Sequence, residues 1–560
     1  MGASVSLVKF CTRGLLNMKL DTLIAGGASA LVWLAAFPTI ALDKVPDKTD
    51  FAILSICHVE QYVEAPLGNQ RITIESGMGD GGFPVATKSR LAQQWFNYGV
   101  KLYHAFYHGD AKQAFDKAVA ADPDCSMCLW AQALSRGPTM NFDVSDDDIK
   151  SGLAIAYQAQ AAARTEREKI LTTAMVKRYS RPQDVAAERD FASDILRAEA
   201  AGPQAPDLRL LASEVLMTAW RRGDHTTAVA ALELIEPILR ASPENTAAIH
   251  YYIHATEYAG KAALALPYAE KLAGLAPKAS HLVHMAAHTY FHIGRYEDAA
   301  VINASALEVD AQHLTDTATP GPPAQTDYYE HNLEVGMAGA LMSGDRSLAL
   351  KFADHVHKAY PNRANAHDGL SDVEGQRFVI YARYDPTNML SLPEPSSDNP
   401  QTRSLYHYAR GEAFAALHDA AGLSREIPQV TGNTPVTTVA KLVLTARLAM
   451  LNGHYAEAAQ AFENAAAQQD ALLAWSMDPP RWWYPIRRSA AAAWLLDGQF
   501  ARAAEVAQSS LAGWPADPLA LLVLSRADDR LGLAADARRA EAAAIGNWEG
   551  NIAKVDITVI

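Results

Sequence analysis

The chain has 560 residues, 49% of them hydrophobic and 20% charged, and a formal net charge of −14 from 63 acidic and 49 basic side chains. This composition is typical of an ordered protein with a packed interior. The acidic balance and the lack of a long basic cluster argue against nucleic acid as a partner, and they do not favour binding to an anionic membrane surface. Alanine is abundant from residue 91 onward, which favours helices nearly throughout.

Residues 1–42 have the pattern of a secretory signal. Basic residues precede an uncharged run from Thr22 to Leu42, and Thr39-Ile40-Ala41 supplies the small side chains that a signal peptidase needs. The same run is about long enough to span a bilayer, so an uncleaved membrane anchor formed by residues 22–42 is the alternative. In both cases the rest of the chain is predicted to be exported, with membrane contact only through an uncleaved N-terminal segment.

An irregular lead-in is predicted for residues 43–90, which include a glycine-rich stretch at Gly77–Phe83. A helical register begins at residue 91. Small and large apolar residues then recur with the 34-residue spacing of paired helices, first at Trp95, Gly99, Leu102, Ala111, Phe115, Ala118 and Pro123. This pattern resembles the tetratricopeptide-repeat (TPR) proteins, and the resemblance implies an all-α, right-handed solenoid of helical hairpins.

The same frame returns along the chain, around Gly294, Gly344, Gly453, Gly498 and Gly532. We therefore predict an N-terminal TPR solenoid over 91–384, a C-terminal one over 403–546 and a tail at 547–560. The stretch 385–402 is rich in proline and serine, which argues against helix and favours a linker between the two. A second irregular loop, Thr315–Asp327, is interpreted as a cover over the cluster of histidines described next.

Four segments in a fixed order sharpen the resemblance. They are Leu102–Asn141, His250–Gly260, His281–Tyr296 and Tyr328–Val335, and together they resemble a bacterial family of TPR proteins of unsettled activity. An exported member of such a family is expected in the periplasm. Glu334 departs from the family pattern, which implies a second histidine at this place.

Histidine is concentrated on the first helices of three consecutive repeats. The resemblance implies that one face of each first helix lines a concave groove, and every member of the cluster falls on that face. Imidazole and carboxylate donors suit a divalent transition metal such as zinc, iron or copper. The predicted ligands are His250, His254, Glu257, His284, His288 and His331. The residues predicted to surround them are His281, His292, Tyr252, Tyr328, Tyr329, Asn332 and Glu334.

Two interpretations of this cluster stay open. Two or three histidines with one carboxylate and an open position are typical of catalytic metal sites, so metal-dependent chemistry or metal sequestration is the first, with Glu257 as either ligand or general base. The second is a metal-free groove in which a non-enzymatic scaffold binds a peptide, a protein or a small molecule. The sequence does not decide whether the protein is an enzyme.

Cys125 and Cys128 form a Cys-x-x-Cys pair at the predicted start of a helix, where the helix dipole favours the thiolate. A redox or disulfide pair and a pair of packing cysteines are both compatible with this spacing. His104 and His108 are interpreted as packing or surface residues. The aromatic stretch Trp482–Tyr484 suits either contact with a peptide or sugar, or a plug between helices.

Overall fold

The computed structural model describes residues 72–182, 184–221, 223–316, 328–360, 368–397, 399–473 and 480–560. The predicted signal or anchor, most of the lead-in and most of the loop Thr315–Asp327 lie outside these residues. The part that is described belongs to one compact unit. Within it we find no helix with the length and hydropathy that a membrane crossing requires.

The described chain is helical from residue 90 onward and contains no strand, which confirms the predicted all-α class. The first twelve helices are α1 (Arg90–His104), α2 (His108–Ala121), α3 (Ser126–Leu134), α4 (Asp146–Ala162), α5 (Glu166–Ser180), α6 (Val185–Ala200), α7 (Pro206–Arg221), α8 (Thr227–Ala241), α9 (Thr246–Tyr258), α10 (Leu266–Leu275), α11 (Ser280–His284) and α12 (Ala286–His292). The remainder are α13 (Tyr296–Asp316), α14 (Tyr329–Ser343), α15 (Arg346–Ala359), α16 (Asp368–Tyr384), α17 (Pro386–Ser391), α18 (Pro400–Ala416), α19 (Ala420–Glu426), α20 (Pro435–Leu451), α21 (Tyr455–Leu473), α22 (Arg487–Leu496), α23 (Phe500–Gly513), α24 (Pro518–Arg530) and α25 (Ala534–Gly546).

Local side chains set where these helices begin. The side chains of Ser89 and Asn245 each accept a hydrogen bond from a backbone N–H in the first turn of α1 and α9, respectively. Thr165 and Glu168 form a reciprocal capping box at the start of α5. Each cap satisfies an otherwise unpaired backbone donor and contributes about 1 kcal/mol. The helix that carries His250 therefore has its starting point fixed by its own sequence.

Successive helices pack against each other as hairpins, among them α1 on α2, α14 on α15, α20 on α21 and α24 on α25. This stacking gives the TPR-like solenoid that the repeat spacing predicted. Glycine occupies the left-handed region at the turn in several hairpins, with φ of 84° at Gly294 and 77° at Gly344. Glycine suits this place because it adopts positive φ without a steric penalty. In the first hairpin, however, the turn residue is Phe106, with φ of 62°.

Buried apolar side chains form two clusters. One runs from Ile72 to Ala286 and includes Tyr328, and the other runs from Ala287 to Ile560. The two clusters therefore meet within the histidine-rich segment, at the start of α12.

The stretch 385–402 contains one short helix, α17, and the start of α18, although its composition argues against helix; residues 392–397 between them are irregular. α17 and α18 have Pro386 and Pro400 in their first turns, where the missing N–H of proline costs no helical hydrogen bond. Met389 of α17 is buried within the second cluster. The apolar core thus continues through this stretch, while a division into two solenoid segments here stays a prediction.

Trp482 and Trp483 stack on each other with ring centroids 4.4 Å apart, and both pack against Tyr408. All three side chains are buried. Of the two interpretations of this aromatic stretch, the plug between helices is therefore the one that its position favours.

We expect Gly336→Ala to destabilise the fold next to the histidines. Gly336 lies on α14, and an added Cβ would overlap the ring of Phe352 on α15. Such overpacking typically costs about 1–3 kcal/mol in the free energy of unfolding, measured by urea denaturation. Gly274→Ala is the matched control, because Gly274 is helical with open space around it and alanine there should stabilise the helix by up to about 1 kcal/mol. Equal effects of the two substitutions would contradict this packing.

Candidate metal centre

Helices α9, α11, α12 and α14 bring six histidines together in the interior. Even the most exposed of them, His331, keeps only 9% of its accessible surface. The six are His250, His254, His281, His284, His288 and His331. The sequence predicted an open groove here, but the structure closes it, because the rings of Phe106 and Tyr328 pack against the imidazoles.

His284, His288 and His331 form the tighter of two groups. Nε2 of His284 lies 2.8 Å from Nε2 of His288 and 3.0 Å from Nε2 of His331. Nitrogens bound to one tetrahedral ion at 2.0–2.1 Å lie about 3.3 Å apart. The three Nε2 atoms therefore converge at nearly the spacing that a shared ion requires, and they come from two repeats.

Hydrogen bonds behind two of these rings determine where their protons lie. Nδ1–H of His284 donates to Oδ1 of Asn303 at 2.7 Å, and Nδ1–H of His288 donates to Oε2 of Glu257 at 3.0 Å. In the neutral rings both Nε2 atoms then carry lone pairs, which repel each other at 2.8 Å. A proton or a metal ion between the two nitrogens would remove this repulsion. A proton can join only two nitrogens, whereas a metal ion also accommodates Nε2 of His331.

His250, His254 and His281 form the second group, with one nitrogen of each within 4.8 Å of the others. Nδ1–H of His250 donates to the backbone carbonyl of His104 at 2.6 Å, which leaves the lone pair on Nε2. That Nε2 lies 3.1 Å from Nε2 of His281. This arrangement is a second convergence of three imidazoles.

Glu257 lies between the two groups. Its Oε2 accepts from His288, its Oε1 accepts from Nε2 of His292 at 2.7 Å, and Nδ1 of His254 lies 3.8 Å from Oε2. Burial raises the pKa of the Glu257 carboxyl, but the charge of His288 and hydrogen bonds from the imidazoles outweigh it and hold the pKa well below its usual range. Because both oxygens of this carboxylate are engaged, the geometry favours orientation of the rings over the predicted role as a general base.

Burial lowers the pKa of His250, His281 and His284 well below the ordinary value of a histidine, and neighbouring imidazoles lower it further. Neutral imidazole is the form that binds a metal ion. These three rings are therefore held in their ligand form at physiological pH.

Phe106 covers the second group from a strained turn. A bulky residue at φ of 62° costs about 1–3 kcal/mol of backbone strain. The ring lies nearly parallel to His281 at 5.0 Å and edge-on to His250 at 4.3 Å between centroids. Tyr328 adds a second wall, with its ring 4.2 Å from His281 and its hydroxyl accepting from Asn141 at 2.7 Å.

Several residues predicted to surround the ligands contact other parts of the molecule. Tyr252 packs against a tyrosine of α10, the hydroxyl of Tyr329 meets a histidine of α15, and Asn332 donates to a carboxylate of α13. Glu334 is half-buried on α14. His281, which was assigned to the surroundings, lies instead within the second ligand group.

Three contributors to the site escaped the sequence analysis. Asn303 and the carbonyl of His104 fix two imidazoles, and Phe106 covers three of them. His104 is buried and His108 is half-buried against Tyr103, which favours the packing interpretation of these side chains. Burial also lowers the pKa of His108 to about 3, as expected for an imidazole that packs among aromatic rings.

Cys125 is the N-cap of α3, as predicted, and its sulfur accepts from the backbone N–H of Cys128. The two sulfurs are joined in a disulfide, and both residues are buried in the first apolar cluster. The pairing interpretation is therefore the one that the structure favours, while a redox role stays a prediction.

Comparison with solved structures finds helical-repeat proteins. The TPR domain of P58(IPK) is 14% identical to this chain, with 62% of this chain and 94% of that chain covered and a TM-score of 0.19. The human IFIT1 dimer with m7Gppp-AAAA is 10% identical, with 82% and 91% covered and a TM-score of 0.29. Naa15/Naa10 bound to HypK-THB is 13% identical, with 82% and 71% covered and a TM-score of 0.23. At these values the likeness says nothing about activity. No protein-family model and no curated protein matches the chain in sequence.

We predict that His250 and His284 of the metal-free protein are Nδ1–H tautomers, because each Nδ1 faces an oxygen that can only accept. Nitrogen chemical shifts of protein labelled at histidine measure this directly. The exposed His454 provides the contrast, since its ring is open to solvent and its Nδ1 lies 3.6 Å from an exposed carboxylate, that of Glu457. Nε2–H tautomers at His250 and His284 would contradict the orientation of both rings.

Proposed function

We propose that the protein is an exported TPR-like repeat protein that holds a transition-metal ion in its interior, with Nε2 of His284, His288 and His331 as ligands. The observation that supports it most directly is the approach of two Nε2 lone pairs to 2.8 Å, with a third nitrogen at 3.0 Å. The acceptors behind His284 and His288 prevent these rings from relieving the contact by a change of tautomer.

The donor set limits the identity of the ion. Imidazole nitrogens suit zinc, iron and copper, and the affinity order of divalent metals for such donors peaks at copper. The bound ion would supply Lewis-acid or redox chemistry. Asn303 and Glu257 would orient two of the ligands from behind, as hydrogen-bond acceptors do in metal sites in general.

Burial limits what can reach this ion. His292, which donates to Glu257, has the most exposed of these imidazoles, with 17% of its side-chain surface accessible. An extended peptide has no open groove at these histidines. The proposal therefore favours metal storage, metal transfer or chemistry on a small molecule over recognition of a polymer here.

Export rests on the sequence pattern of residues 1–42, with either a cleaved signal or an anchor at 22–42. In a bacterium this places the metal site in the periplasm.

A cavity in the second half of the molecule supports a second candidate function, that of a scaffold for a peptide or small molecule. The cavity has a volume of about 320 Å³ and is lined by Trp483, Trp548 and Arg447 among others. The hydroxyl of Tyr384 in its wall is buried without a hydrogen-bond partner. Metal-free protein that still binds such a ligand, with the affinity reduced by Arg447→Met, would favour this candidate over the metal site.

We expect protein purified without a histidine tag to contain bound transition metal, measured by mass spectrometry of the elements. His288→Ala should lose the ion at the three-histidine group, because it removes one ligand and one of the two imidazoles that donate to Glu257. His454→Ala, the same substitution at an exposed histidine, should leave the metal content unchanged. Metal-free wild-type protein that also fails to take up added Zn²⁺ or copper would overturn the proposal.

Glu257→Gln should weaken metal binding by about 10–100-fold, the usual effect of losing an acceptor behind a ligating histidine. The dissociation constant is measured by competition with a chelator, and the number of ions bound at saturation should not change. Glu270→Gln is the control, since Glu270 pairs with Arg295 in an exposed ion pair. An unchanged dissociation constant in Glu257→Gln would show that Glu257 does not orient His288.

A further inference from the structure

We infer that the interior holds two copper ions in the Cu⁺ state, the second of them bound by His250, His254 and His281. This inference rests on the proposed function, because the second ion lies next to the first. It extends that proposal by adding a second binding site and by naming the metal and its charge.

Six imidazoles cannot share one ion with three or four coordination positions, and the structure does not arrange them to do so. The donor atoms of the six imidazoles fall into two groups of three with no member in common, and a third group, His254, Glu257 and His288, overlaps both. The groups nevertheless touch, since ring centroids lie 5.0 Å apart for His254 and His288 and 5.5 Å apart for His281 and His284. Two ions therefore fit the donor arrangement, and they would be neighbours.

The second group has supports of its own. The carbonyl of His104 fixes His250, and the side chain of His104 is itself held by the hydroxyl of Tyr251 at 3.0 Å and by Asp207 at 3.3 Å. Nε2 of His250 is thereby directed at Nε2 of His281. Nδ1 of His281 is buried without a hydrogen-bond partner, a cost that packing alone does not offset.

Charge selects the kind of ion. Glu257 lies between the two groups, and it is the one carboxylate among the described residues that make hydrogen bonds to them in the contacts given above. The proposed ligands are neutral imidazoles. Two divalent ions would place four positive charges in a buried volume against one negative charge, which desolvation makes costly. Two Cu⁺ ions halve that charge, and imidazole is among the ligands that suit copper.

The strained turn at Phe106 is consistent with a second ion. The ring of Phe106 lies against all three members of the second group, with centroids 4.3 Å from His250, 5.8 Å from His254 and 5.0 Å from His281. A covered, dry site protects Cu⁺ from water. If only the first ion were bound, the ring of Phe106 would not need to cover the second group.

The test is an anaerobic titration of the metal-stripped full chain with Cu⁺ against a chromogenic chelator, with the bound copper counted by elemental analysis. Wild-type protein should bind two ions, His250→Leu one and His331→Leu one. Circular dichroism confirms that each variant is folded, and His454→Leu should still bind two. If wild-type protein binds one ion that His331→Leu loses and His250→Leu keeps, the second ion is overturned while the proposed function stands. If wild-type protein binds no Cu⁺, the inference of two Cu⁺ ions is overturned, and the proposed function is overturned as well only if the same protein takes up neither Zn²⁺ nor Cu²⁺.

X-ray absorption at the copper edge tests the same inference without any variant. Fully loaded wild-type protein should show nitrogen ligands only, the edge of Cu⁺ and scattering from a second copper atom. Two bound ions without copper–copper scattering, or an edge typical of Cu²⁺ in anaerobically loaded protein, would overturn it.

Discussion

The approach of His284 and His288 is the constraint on which the interior of this protein depends. Their Nε2 atoms lie 2.8 Å apart, while Asn303 and Glu257 hold the opposite nitrogens as donors. Since Glu257 comes from α9 and Asn303 from α13, neither ring can turn without disturbing a neighbouring helix. The stacked helices therefore hold the two nitrogens close together, in the arrangement that the proposed metal ion would use.

The repeat architecture explains how such a contact can be built. α9, the pair α11 and α12, and α14 are each the first helix of a hairpin, and stacked first helices lie about 8–10 Å apart. Imidazoles reaching from both sides span that distance. His331 on α14 meets His284 on α11 in this way. The two apolar clusters also meet here, so an ion bound at this place would join both halves and stabilise them together.

The sequence was sufficient for the fold and for the gathering of the histidines, but not for the contacts that orient them. The spacing of His250, His254 and Glu257 places them on one helical face by geometry alone. No sequence pattern identifies Asn303, because a single polar residue on a second helix has no spacing that distinguishes it from other polar residues. The positive φ of Phe106 could not be predicted from the sequence either, since glycine usually occupies this place in the turn. The helix at Pro386 shows the reverse error, in which proline was read as a breaker although it suits a first turn.

The energetics of the metal-free state connect the site to stability. Each buried polar group without a partner costs about 1–3 kcal/mol, and strain at one residue such as Phe106 costs about as much again. Nδ1 of His281 and the turn at Phe106 both carry such costs in the interior. If this region served only as a packed core, leucine side chains would fill it without the free-energy cost of unpaired buried nitrogens. An ion bound under the proposal would offset this cost, and metal binding would then be coupled to the folding of this region.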